Sequence, residues 1–246
     1  MYLKEATEAA ADTYYDRGYH TKRHENIIAD DEYFWARAEA SARFYFTNEE
    51  KTKPIFDYGC GIGQSFAALP NAMGWDISTE AREVCRRRGL RVYDKVEDVP
   101  ERSWDIVFCR HVLEHIEHPI EALRTMRRLI AENGELFLIL PKERHYYTST
   151  GPDLDQHLHC WNFRAINNLL DRAGFTPYAN YYKFALGYRA LLPVRRLFGK
   201  GLYYYATIVV GRLYRNGELV VRARPKSPEA VVPHPMNSRG TFTPRL

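Results

Sequence analysis

The sequence predicts an α/β fold, a mostly parallel sheet with helices on both faces, and three observations carry that prediction. The run Ile55-Phe56-Asp57-Tyr58-Gly59-Cys60-Gly61-Ile62-Gly63-Gln64 is a short apolar strand ending in an acid and alternating glycines. From Pro54 onward, short apolar runs alternate with amphipathic stretches at helical spacing, the pattern of βαβ units. A second apolar run, residues 72–76, ends in another acid, Asp76, 19 positions after Asp57.

Taken in order, residues 7–47 read as helical and irregular segments rich in aromatics, and residues 47–53 as a polar connector to the first strand, 54–58. Phe66, Ala67 and Leu69 place a helix after Gly63. The second strand covers 72–76, after which Ser78 caps a helix running to Arg88, with Ala81, Val84 and Cys85 inward and Gly89 as its stop. A short third strand lies near 91–93. The fourth, 104–109, is an apolar run of the kind found in buried strands. Pro119 starts the next helix, whose stripe is Ile120, Leu123, Met126 and Ile130. Asn133-Gly134 ends that helix and 135–140 is the fifth strand. A long loop reaches His159, residues 163–173 form a helix, and the sixth strand begins at Phe175.

Two readings of the next region stand. Asn216-Gly217 is a hairpin turn signal that would pair 203–212 with 218–224. Alternatively 187–214 is a helical insertion and only 218–224 is a closing strand. The second is favoured, because Leu191, Leu192, Val194, Leu197 and Phe198 interleaved with Arg195 and Arg196 suit an amphipathic helix. The total is a Rossmann-like, seven-stranded sheet in residues 51–224, preceded by an N-terminal helical lid (1–50). Residues 225–246, proline-rich and polar, are expected to be a disordered tail.

Glycine at every second position lets the backbone turn tightly and approach a ligand with no Cβ in the way. The expected helix beyond offers unpaired N–H groups. The dinucleotide fingerprint G-x-G-x-x-G uses its third glycine for helix–strand packing, and Gln64 stands in that place here. A carboxylate at Asp76 can accept both ribose hydroxyls, a device that nicotinamide enzymes share. Asp76 therefore points to an adenosine-type ligand rather than to one cofactor, and helix capping is its other reading. Asp57, at the end of the first strand where the loop turns, reads as a turn former, a role that can coexist with a ligand contact.

The spacing G-x-G-x-G is similar to the first motif of class I S-adenosylmethionine (SAM) methyltransferases. The segment Trp104-Asp105-Ile106-Val107-Phe108-Cys109-Arg110-His111-Val112-Leu113-Glu114-His115-Ile116 closely resembles the fourth-strand signature of the broad type-11/type-23 small-molecule group, F-D-x-V-x-x-x-x-V-L-E-H. Gly134-Glu135-Leu136, Leu140-Pro141, and Leu169-Leu170 through Ala173-Gly174-Phe175 agree. The resemblance covers residues 54–185 and is weak before 50 and after 190. It implies SAM contacts from Asp57, Gly59, Cys60, Gly61, Gly63, Asp76 and Ile77. Glu97 is implied at the adenine amine, although other loop carboxylates would look the same. Arg110 and His111 are implied beside the sulfonium and methyl, while Glu114 and His115 brace the loop.

Related enzymes also carry a His-rich segment before the helix that leads to strand six, here Asp153 to Trp161. A neutral imidazole there could take a proton from a hydroxyl as the methyl arrives. His157 is the first catalytic candidate, His159 the second, and His111 lies at the methyl; loop stabilisation is the alternative. His157, His159 and Asp155 could bind zinc, but no further ligand has suitable spacing, and no metal is expected. Tyr14, Tyr19, Tyr33 and Arg37 read either as a lid over the cofactor or as plain helix packing.

The net charge of +4 arises largely from late arginines and lysines, a solvated face or one turned to an anionic substrate or membrane. No arginine-rich tract points to nucleic acid. Cys60, Cys85, Cys109 and Cys160 form no C-x-x-C pair, which argues against a zinc ribbon or disulfide framework and suits a reducing compartment. With no apolar signal core and no uncharged run near about 20 residues, a cytoplasmic location is expected.

Methyl transfer from a sulfonium is an in-line displacement that needs alignment and exclusion of water rather than a dedicated nucleophile. The chain reads Cys109-Arg110-His111 where amine methyltransferases acting on bases or glutamine carry N/D-P-P-Y/F. That favours methylation of an oxygen on a small polar, carbohydrate-like or lipid-linked acceptor, with methylation of a small molecule's carbon or nitrogen left open and 187–214 as a membrane contact or a cap. The rivals are a catalytically inactive SAM-binding module and a NAD-dependent oxidoreductase.

Overall fold

A computed structural model describes residues 19–143, 150–151 and 155–227. Tyr14 and most of the tail therefore lie outside the described residues. Helices α1 (Tyr19–Ile28) and α2 (Asp31–Tyr45) come first. Asp30 caps α2, its carboxylate accepting the Tyr33 N–H at 2.9 Å. Ile27 and Phe34 bury their side chains against Ile62 and Val84. Arg88 fastens the pair, donating to the carbonyls of Ile27 and Ile28 and lying 4.0 Å above the Phe34 ring.

The sheet contains β1 (Ile55–Tyr58), β2 (Ala72–Trp75), β3 (Trp104–Arg110), β4 (Ile130–Pro141), β5 (Phe175–Phe184) and β6 (Gly217–Pro225), in the order β2-β1-β3-β4-β6-β5. The first four are parallel, and β6 runs antiparallel between β4 and β5. Successive strand residues face opposite sides, so each strand feeds two cores. On one side Phe56, Val107 and Leu138 meet Leu123 and Met126 of α4 (Pro119–Leu129) and Ile166 and Leu170 of α5 (Phe163–Arg172). On the other, Ile55, Phe108 and Phe137 meet Ala42 and Tyr45 of α2 and Cys85 of α3 (Thr79–Arg87).

Four expectations need correction. The sheet has six named strands among the described residues, and the expected third strand is one parallel bridge, Gly74 to Val92, held at the sheet margin by the Tyr93 N–H on the Gly74 carbonyl. The segment after Gly63 forms turns instead of a helix: only six residues separate Gly63 from Pro70, and Leu69 N–H already bonds back to Phe66 in a tight turn. The helix after Pro119 stops at Leu129 because Ile130 already pairs with Trp104, and Asn133-Gly134 lies inside β4 at a register shift. A Cβ at Gly134 would sit 2.8 Å from the Trp104 and Asp105 carbonyl oxygens. Finally, the strand runs on to Pro225, and the Lys226 N–H bonds the Gly174 carbonyl.

Residues 203–212 are helical, which removes the hairpin reading: they belong to α6 (Leu192–Leu213), kinked at Gly199. No helix among the described residues is long and apolar enough to cross a membrane.

Candidate functional site

The parallel strands end on one edge of the sheet, and their carboxyl ends carry the glycine loop. Gly59 has φ 74°, and a Cβ there would lie 2.4 Å from a Val112 methyl; only glycine fits on both counts. The N–H groups of Gly59 and Cys60 donate to the Trp75 carbonyl at 2.8 and 2.9 Å. Asp76 accepts the Gly61 N–H at 2.7 Å through one carboxylate oxygen and the Ser78 N–H at 2.9 Å through the other. Asp76 is therefore the brace that joins the loops after β1 and β2. Cys60 is buried, which pushes its thiol well above the usual range, so it packs as a small apolar group against Gly74.

Asp57 lies in β1 directly below this loop, and it is 1% exposed. Neither carboxylate oxygen has a hydrogen-bond partner. Burial pushes its pKa up to about 8, with the Arg110 charge opposing and Asp76 adding to the rise. A buried, unsatisfied carboxylate is costly unless a donor or cation completes it.

Beyond β3 the edge is densely charged. Arg110 donates to Glu218 through Nη2 at 2.7 Å and Nε at 3.2 Å, and His111 Nε2 donates to the same oxygen at 2.8 Å. The Tyr45 hydroxyl donates to the other Glu218 oxygen. Antiparallel β6 explains the meeting: Glu218 pairs with Pro141 at its amino end, beside the carboxyl ends of the parallel strands. Burial works against the His111 charge, but bonds to Glu114 and Glu218 raise its pKa to about 9. Burial would raise Glu218, yet Arg110 and His111 hold it well below the usual carboxylate range. His111 also adopts φ 55°, a strained setting for a side chain aimed into a charged site.

A second polar group adjoins the first. Glu114 is fully buried and lies 3.4 Å from His111 Nδ1. His115 and His157 rings meet edge to face at 4.8 Å, and burial lowers the His115 pKa. His157 Nδ1 is 2.5 Å from Glu143 Oε1. Glu114, His115 and His157 bring ligand atoms within 4.8 Å of one another, a set different from His157, His159 and Asp155. His111 engages Glu114 and Glu143 engages His157, so the set works as a network of imidazoles balanced by carboxylates. His159 instead spends Nε2 on the Ile116 carbonyl at 2.9 Å and packs against Trp161; Asp155 pairs with Arg23.

Arg37 lies 4.8 Å over the Tyr188 ring, and burial pushes Tyr188 up to about 12. Tyr33 packs with Ala36, Leu192 and Tyr203. Ile77 is half-buried between β2 and α3, its carbonyl accepting from Arg82 at 2.9 Å. Glu97 is exposed on the short turn Val96–Asp98. Two surface clefts of about 410 and 580 Å³ lie along α4 and between Pro119, His159 and α5, and the glycine loop lines neither.

Sequence reasoning missed Tyr45, Glu143, Tyr188 and Glu218. Only Glu218 had a signal: it is the first acid after Asp171.

A family model described as a methyltransferase domain matches residues 29–180. A probable methyltransferase of Aspergillus luteorubrus is 30% identical over 145 residues, covering 49% of this chain and 50% of the relative. The ubiquinone biosynthesis O-methyltransferase of Haemophilus ducreyi is 29% identical over 104 residues, covering 35% and 44%. The chain thus spans about half the length of the curated relatives it matches. Among solved structures, the Burkholderia thailandensis 1,6-didemethyltoxoflavin-N1-methyltransferase, with S-adenosylhomocysteine bound, is similar with a TM-score of 0.55 at 19% identity, over 90% of each chain. Phosphoethanolamine N-methyltransferase 2 of Haemonchus contortus, in complex with SAM, gives 0.58 at 18%, over 88% of this chain and 60% of that one. At these identities the likeness is one of fold.

Proposed function

The chain belongs to the methyltransferase-domain family of class I SAM-dependent enzymes, and from that premise we propose that it methylates an oxygen of a small polar, carbohydrate-like or lipid-linked acceptor. Family membership leaves no ground for the nicotinamide reading. The residues fit the cofactor. Asp57, buried and lacking a donor, suits an ammonium group such as the cofactor's amino acid end carries. Gly59, Gly61 and Gly63 let backbone approach it, Asp76, just beyond β2, takes the ribose hydroxyls, and Cys60, Ile77 and Glu97 border the adenosine side. Bound there, SAM supplies an electrophilic methyl group on a sulfonium.

The observation that carries oxygen methylation is the Glu143–His157 pair. A carboxylate on Nδ1 fixes the tautomer and leaves Nε2 as a proton acceptor for a hydroxyl. His111 holds its proton between two carboxylates and serves as a positive electrostatic group with Arg110. His159 is committed to the Ile116 carbonyl. Tyr33, Arg37 and Tyr188 cover the acceptor side and exclude water.

The test is S-adenosylhomocysteine formation from SAM across a panel of phenols, sugars and lipid-linked hydroxyls, with His157→Ala and Glu143→Gln. The expected result is a kcat loss of about 100-fold for the first and about tenfold for the second, with S-adenosylhomocysteine affinity within about twofold. Unchanged kcat in His157→Ala would remove His157 as the base. Tight cofactor binding with no turnover on any acceptor would favour the inactive binding module.

A further inference from the structure

No Asp or Glu lies between Asp171 and Glu218, although Lys183, Arg189, Arg195, Arg196, Lys200, Arg212 and Arg215 do. Helix α6 occupies the centre of this acid-free stretch. Its inner side is well seated: Leu192, Tyr203, Thr207 and Gly211 are buried, and a Cβ at Gly211 would meet the Ala185 backbone at 2.5 Å. Arg195 and Lys200 bind Glu39 and Arg196 binds Glu32, so these three cations tie α6 to α2.

The outer side has a different character. Leu202, Tyr205, Val209 and Leu213 follow i, i+3, i+7, i+11 spacing and form one stripe about 17 Å long. Leu197 and Phe198 precede the Gly199 kink, and Tyr214 follows the stripe. Leu197 is 76% exposed and Leu213 75%. Monomer surfaces normally scatter large apolar groups singly, and a contiguous patch marks an interaction face. Beside the stripe, Arg212 and Arg215 are exposed and form no ion pair among the described residues. A second copy of the chain laid stripe to stripe would bring these like charges together. An anionic bilayer neutralises them while its interface takes up the leucines and aromatic rings.

We propose that α6 is a peripheral membrane anchor that lies in the interface of an anionic lipid surface, with Leu197, Phe198, Leu202, Tyr205 and Leu213 turned into it. This inference rests on α6 alone and stands whether or not the acceptor is an oxygen. It adds that the acceptor side, joined to α6 through Tyr203 and the Tyr188 carbonyl at 3.1 Å, is held near the lipid.

The test is co-sedimentation of the full chain with vesicles of phosphatidylcholine alone or mixed with phosphatidylglycerol. Binding is expected only to the mixed vesicles and falls steeply in about 0.5 M salt. Leu202→Glu with Leu213→Glu should abolish it. Arg212→Gln with Arg215→Gln, both fully solvated changes, should weaken it about 25-fold, near fivefold per arginine. Unchanged thermal midpoint and S-adenosylhomocysteine affinity show that each variant is folded. Absence of binding to the mixed vesicles, or binding unaffected by both variant pairs, overturns the proposal. So does a concentration-dependent dimer that the leucine pair dissociates in a chain that binds no vesicle, which would assign the face to a second copy.

Discussion

The loop after β1 and the cluster after β3 sit on the same edge of the sheet but draw on different lengths of chain. Asp57, Gly59, Gly61, Gly63 and Asp76 come from a single strand–turn–strand unit, in which backbone N–H groups tie the glycine loop to Trp75 and Asp76. Tyr45, Arg110, His111 and Glu218 come from a helix end, a parallel strand and an antiparallel strand, and are joined by side-chain charges. The loop half is shaped by sterics and waits for a donor at Asp57. The cluster half is already satisfied by its own charges. Under the proposed reading, the first half receives the cofactor and the second keeps a fixed electrostatic frame beside it.

The largest effect should come from breaking the cluster. Glu218→Gln leaves buried Arg110 without its counter-charge and His111 with Glu114 alone, and should destabilise the fold by about 3–5 kcal/mol in urea unfolding. A loss below about 1 kcal/mol would mean the four groups do not act as a unit. Gly59→Ala attacks the other half. The positive φ and the Val112 contact should cost about 1–3 kcal/mol, and calorimetry should find S-adenosylhomocysteine binding weakened more than tenfold. If affinity survives, the loop is not the cofactor cradle.

A pH series sharpens the contrast. His111 rises from 6.5 to about 9 in the folded chain, so its stabilisation is complete below pH 6.5 and lost as pH climbs through 9. Asp57 rises from 3.8 to about 8, which likewise removes stability as pH rises toward 8. Both act in one direction, and thermal midpoints should fall between pH 6.5 and 9 by the equivalent of about 1–2 kcal/mol after allowing for the partial exposure of His111. His111→Gln should flatten the upper part of that fall and Asp57→Asn the lower. Calorimetric titration with S-adenosylhomocysteine at pH 7 in phosphate and in Tris should reveal up to one proton released per cofactor, absent in Asp57→Asn. Equal heats in both buffers would mean Asp57 is not the ammonium partner. The smallest effect is Ser78→Ala, which removes the α3 cap bond to the Ala81 N–H and should cost about 1 kcal/mol; cofactor affinity should move by less than about threefold, since Asp76 still braces the loop.

Much of the first half was legible because each signal is local. An acid at a strand end, glycines at alternate positions and a serine before a helix act over a few residues. Legibility failed where neighbours decided. Phe66, Ala67 and Leu69 have helical spacing, yet the short run to Pro70 and the return into β2 leave room for turns alone. Ile130 continues the apolar stripe of α4, but pairing with Trp104 draws it into β4. Asn216-Gly217 carries a hairpin signal, while Tyr203 and Thr207 bury against the body only as parts of a helix.

By itself the sequence determined the α/β alternation, the glycine loop, Asp57, Asp76 and the family, because these depend on backbone geometry and contacts between near neighbours. Tertiary structure alone decided that Glu218 meets Arg110, that Glu143 meets His157 and that α6 turns an apolar stripe outward. Such pairings depend on where an antiparallel strand, a loop and a kinked helix come to rest, and residues more than a hundred positions apart carry no mark in the sequence of the charge each will face.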